Sequence, residues 1–137
     1  MTFVAIDIVP TQRNKPCGTA YVNPAHVVAV AQPRKNPGGL TEIFLNSRGE
    51  NGFRRSLVTA QDLQQILTLL GPFIEIRGFE TEKGDEWPVW HVRASAVVAL
   101  KPGAEGSGRL YLEDGTDMWV TYADVAASVL RAPPVGQ

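Results

Sequence analysis

Three blocks of this chain occur twice, in the same order. Tyr21-Val-Asn-Pro-Ala-His-Val-Val-Ala-Val-Ala31 returns as His91-Val-Arg-Ala-Ser-Ala-Val-Val-Ala-Leu-Lys101. Thr41-Glu-Ile-Phe-Leu-Asn46 returns as Gly108-Arg-Leu-Tyr-Leu-Glu113, and Thr59–Leu67 returns as Tyr122–Leu130. A chain of 137 residues then holds two units, each close to the size at which a single core is marginal. Each unit has a sheet with one apolar face and one helix to cover it, so the two are expected to share a core. The fold class implied is α+β and β-rich. It comprises two tandem repeats, of five strands and one C-terminal helix each, packed as a pseudo-two-fold pair. The units are 1–70 and 71–132, with 133–137 as a tail rich in proline.

The local pattern supports this division. Val4, Ile6 and Ile8 fall on one face of a strand over Thr2–Val9, which Pro10 ends. Gly18–Val22 reads as a short strand, Asn23-Pro24 as a turn, and His26–Gln32 as a buried run. Pro33–Gly39 is a turn. Leu40–Asn46 and Phe53–Val58 flank a hairpin loop with two glycines. The period then changes. Leu63, Ile66, Leu67 and Leu70 fall on one helical face, with Thr59 as N-cap and Asp62 three residues later as in a capping box, and Gly71-Pro72 ends the helix. The second unit repeats the order with strands over Phe73–Arg77, Val89–Val92, Ala96–Leu100, Arg109–Glu113 and Met118–Thr121. A hairpin turn falls at Asp114-Gly115, and a helix over Ala123–Leu130 turns Val125 and Val129 inward.

Tyr21-Val-Asn-Pro24, the aliphatic strand after it, Ile43-Phe-Leu-x-x-x-Gly49 and the closing amphipathic helix together resemble the FlbD-type small flagellar regulatory proteins. The resemblance spans most of Val4–Leu67 and, more faintly, Phe73–Leu130, where the matching run lacks the Asn-Pro pair. It implies a fold, and it brings no catalytic residue with it.

Composition narrows the function. Hydrophobic residues at 44% and charged residues at 20% are those of a globular chain. No apolar stretch approaches membrane-spanning length, and Asp7 interrupts the only N-terminal apolar run, so a cytoplasmic protein of bacterial or phage origin is expected and no membrane contact. The single cysteine, Cys17, excludes a disulfide framework and any multi-cysteine metal site. His26 and His91 lack ligand spacing, and the carboxylates at Glu80–Glu86 and Glu113–Asp117 lie in glycine-bearing loops, where solvation is the simpler role. No phosphate-binding or nucleophile motif is present. These readings assign no catalytic residue, metal or cofactor, and the chain is expected not to be an enzyme.

Binding is the function class that remains. Seven Lys/Arg against four Asp/Glu give residues 1–70 a net charge of +3; six against ten give residues 71–137 a net of −4. Arg54 and Arg55 beside Phe53, with Arg48, Arg34 and Lys35 from adjacent loops, form a candidate basic patch suited to phosphate. Trp87-Pro-Val-Trp90 is the sharpest aromatic feature. Trp87 follows two acidic residues on a loop and is a candidate contact residue. Trp90 is either a core residue, like Trp119, or a ring that stacks on a base. The expected function is a small non-enzymatic regulator or inhibitor, acting through a protein partner or through copies of itself as a homo-oligomer. The alternative is a binder of a small phosphate-bearing nucleotide. DNA is the weakest version, because a net charge of −1 lacks the basic excess for backbone contact.

Overall fold

The apolar run after His26 becomes a strand, β3 (Val27–Ala31), and all five of its residues are buried. A strand that is apolar on both faces needs cover on both, and the rest of the chain supplies it. The structure is a computed structural model that describes residues 3–9, 18–32, 39–48, 54–78 and 89–131, with the backbone alone at 47, 48, 54, 55, 130 and 131. Before β3 come β1 (Val4–Ile8) and β2 (Gly18–Val22). After it come β4 (Thr41–Arg48), β5 (Arg54–Thr59) and α1 (Leu63–Leu70). The second half runs β6 (Ile74–Arg77), β7 (Val89–Val92), β8 (Val97–Pro102), β9 (Ser107–Leu112), β10 (Asp117–Thr121) and α2 (Tyr122–Arg131). The class is α+β: two helices on antiparallel sheets.

Seven strands form one sheet in the order β2-β1-β5-β4-β3-β7-β6, and three form another in the order β10-β9-β8. The registers of the two halves run in step. Val4 opposite Val22 becomes Ile74 opposite Val92. Val27, Ala29, Val30 and Ala31 face Leu45, Phe44, Ile43 and Glu42, with a bulge after Val27. Val97, Ala99, Leu100 and Lys101 face Leu112, Tyr111, Leu110 and Arg109, with a bulge after Val97. A single 3-10 turn precedes each bulged strand, at Pro24–His26 and at Ala94–Ala96. Where β1 meets β5 through Ile8 and Thr59, the second half keeps a single bridge between Gly78 and Val120.

The halves do not meet as a two-fold pair. β3 of the first half bonds to β7 of the second, the counterpart of β2. A two-fold axis would also place β8 on β2, and neither sheet contains that pairing among the described residues. The contact is therefore head to tail. The packing follows from it. Val27 and Val30 join Ile6, Val22, Ile43, Ile66 and Leu70 in one apolar cluster. Val28, Ala29 and Ala31 join Phe44 and the second-half residues Ile76, Trp90, Val92 and Leu110 in the other. α1 closes the first cluster with Ile66 and Leu70, and α2 closes the second with Val125 and Val129.

The first helix begins later than its sequence suggests. Thr59 is buried at the end of β5, opposite Thr41, and its hydroxyl accepts from the Gln61 N–H. It ends a strand instead of capping the helix. Asp62 is the N-cap residue by position, without a side-chain hydrogen bond.

Candidate nucleic-acid interface

Among the described residues, two regions bring basic positions together along the backbone. The first is the far end of the β4–β5 hairpin. Arg48 and Arg54 are backbone partners there, and Arg55 follows. Alternation along the two strands after Phe44 opposite Ser56 is broken by a register shift, so the hairpin end is offset from the flat part of the sheet. The backbone thus brings these three positions to one end of the hairpin. Of the wider patch, Arg34 and Lys35 lie outside the described residues, and so does Trp87.

The second region is the outer face of the three-stranded sheet. Trp119, Arg109 and Lys101 stand side by side across β10, β9 and β8; Asp117, Tyr111 and Ala99 form the next row. Their faces are fixed by the Asp114-Gly115 turn, where Gly115 takes a φ of 88°. That turn sends Met118 and Val120 inward and leaves Trp119 outside. The Arg109 guanidinium lies 4.4 Å from the Trp119 ring centroid. Its Nε and a terminal nitrogen both donate to Asp117 Oδ2, at 3.0 and 2.7 Å. Trp119 is 48% exposed and Tyr111 37%.

The two tryptophans part company: Trp90 takes the core role and Trp119 does not. Trp90 is 5% exposed and packs against Phe44 with ring centroids 5.2 Å apart, so it belongs to the core and offers no stacking surface. Trp119, expected inside with it, is outside. The signal was in the sequence: Trp119 shares a strand face with Asp117 and alternates with Met118 and Val120.

His26, His91 and Asp114 each face a structural neighbour. His26 is exposed and its Nδ1 lies 2.9 Å from the Asn46 amide nitrogen. His91 faces Glu75 across β6 and β7. Burial pushes its pKa below the ordinary value, and the Glu75 carboxylate opposes that in part. Asp114 is buried and accepts from the Thr116 N–H and hydroxyl at 2.9 and 2.7 Å, so it is a turn residue and not the solvated carboxylate expected. Among the described residues no group of three His, Cys, Asp or Glu side chains is placed to hold a metal ion. No described helix is long and apolar enough to cross a membrane.

No family model and no curated protein matches the chain. Among solved structures the chain is similar to the LytTr DNA-binding domain of a Bacillus cereus protein described as a methyl-accepting/DNA response regulator. The TM-score is 0.54 and the identity 17%, over 96% of this chain and 99% of that one. At that identity the likeness is one of fold. It overturns the order of the functional expectations. Nucleic acid stood there as the disfavoured partner, behind a protein, a further copy or a small nucleotide, whereas the domain matched end to end is described as DNA-binding.

Proposed function

We propose that the protein is a non-catalytic DNA-binding regulator whose first half carries the phosphate contacts. The observation that supports this reading most is the fold likeness to a DNA-binding domain over nearly the full length of both chains. The charge distribution agrees with it. The net charge of +3 lies in residues 1–70, and the backbone sets positions 48, 54 and 55, all arginines, at one hairpin end. The counterpart hairpin in the second half is the tight Glu113-Asp114-Gly115-Thr116 turn, which has no cation to offer. The overall charge of −1 argued against DNA when spread over the whole chain; collected in one half, the same arginines suffice for a local contact. The reading includes a duplicated origin for the two halves, supported by the matched order of blocks and by the matched strand registers.

The test is a titration of a labelled DNA duplex by fluorescence anisotropy at several salt concentrations. Three phosphate contacts give a slope of log K against log salt near −2.7, at about 0.9 per contact. Arg54→Ala and Arg55→Ala are each expected to weaken binding severalfold and to flatten that slope by about 0.9, with thermal unfolding unchanged. No binding to mixed-sequence or genomic duplex at about 50 mM salt would remove the reading.

A further inference from the structure

We infer that the outer face of β8, β9 and β10 is a stacking platform for unpaired bases of single-stranded nucleic acid, with Trp119 and Arg109 as the stack and Lys101 as the phosphate contact. The inference does not depend on duplex binding by the β4–β5 hairpin.

The two halves provide the comparison that carries it. In the first half the matching rows are Val58, Glu42 and Ala31, then Ser56, Phe44 and Ala29. Ala29, Ala31 and Phe44 of that face are buried under the second half. Head-to-tail packing leaves the same face of the second half uncovered. There Trp119 stands in place of Val58, Arg109 of Glu42 and Lys101 of Ala31. A face that is merely solvated has no need of a tryptophan 48% exposed, or of a tyrosine 37% exposed one row away.

The chemistry favours a base over other occupants. Two N–H donations to Asp117 hold the Arg109 guanidinium, whose Cζ lies over the Trp119 ring, 4.4 Å from its centroid. A planar guanidinium on an aromatic ring accepts a base as a further layer, whichever base it is. Asp117 is neutralised by Arg109, which leaves Lys101, exposed and without an ion pair among the described residues, as the charge of the two rows. That charge complements a phosphate one nucleotide along. Strand addition by another chain is opposed at the same edge, because β8 carries Lys101 and ends at Pro102.

The experiment titrates a labelled oligothymidine, which forms no duplex, in parallel with a labelled duplex. Oligothymidine binding is expected, with Trp119→Ala lowering its affinity about tenfold or more, Trp119→Phe keeping most of it, and duplex affinity the same in all three proteins. Quenching of tryptophan fluorescence by oligothymidine, present in the wild type and lost in Trp119→Phe, reads the same contact without a destabilising change. No oligothymidine binding at about 50 mM salt, an unchanged affinity in Trp119→Ala, or equal binding of heparin in place of the oligonucleotide would each overturn the platform. Loss of duplex binding alone would overturn only the hairpin reading.

Discussion

Asp114 is 2% exposed, yet its carboxylate needs no counter-ion, because Thr116 gives it both a backbone N–H and a hydroxyl proton. Removing it strands two donors in a buried turn. Asp114→Ala is expected to cost about 2 kcal/mol in denaturant unfolding, while Asp114→Asn keeps one acceptor and costs less. His91 sets a pH dependence. Its folded pKa lies below the ordinary 6.5, chiefly from burial, so the unfolded chain binds the proton more readily than the folded one. The associated stability is present above 6.5 and is lost as pH falls through the lower, folded value. The denaturant midpoint is expected to drop as pH is lowered from above 6.5 through that folded value, and to drop less in His91→Gln. At this scale the sequence is a partial guide. It shows that Asp114-Gly115 is a turn, but not that the carboxylate turns inward. It offers both Trp90 and Trp119 to the core, although the alternation of Trp119 with Met118 and Val120 already sets Trp119 on the other face.

At the scale of elements, Arg93 holds three of them together. Its Nε donates to Val27 O at 2.9 Å, and a terminal nitrogen donates to Leu70 O, the last residue of α1, at 2.5 Å. The guanidinium also lies 5.1 Å from the Phe73 ring centroid. A cation at a helix C-terminus meets unpaired carbonyls and the negative end of the helix dipole. Arg93 occupies the position of Asn23, whose side chain caps the 3-10 turn of the first half by accepting from the Ala25 N–H. The second half has given up that cap for a clamp onto the first. Arg93→Ala is expected to cost about 2–4 kcal/mol. Arg93→Lys is expected not to restore it, since one ammonium cannot span two carbonyls on different elements as the planar fork does. The strands themselves were legible. Period-two alternation places Ile6 and Ile76 inside, and both are buried. The helix start was not. A threonine followed by Asp three residues later suits a cap, but the pairing of Thr59 with Thr41 and Ile8 fills the position with strand first.

For the whole molecule, the decisive contact is β3 on β7. It puts Phe44, a first-half residue, into the second-half core beside Trp90. Phe44→Ala is expected to cost about 3–5 kcal/mol. Hydrogen exchange of β7 to β10 amides is expected to quicken at least as much as that of β3 to β5; protection lost in the first half alone would show that the cores are separate. The repeat of blocks in the sequence carried the order of elements along each half and most of the residues that point inward, because alternation and turn chemistry are local. How the halves join was decided by the tertiary structure. Both halves offer an edge like β3 and an edge like β2, and nothing in a strand's own sequence says which edge of one half will take which edge of the other. That choice buries one sheet face and leaves its twin, with Trp119 on it, in water.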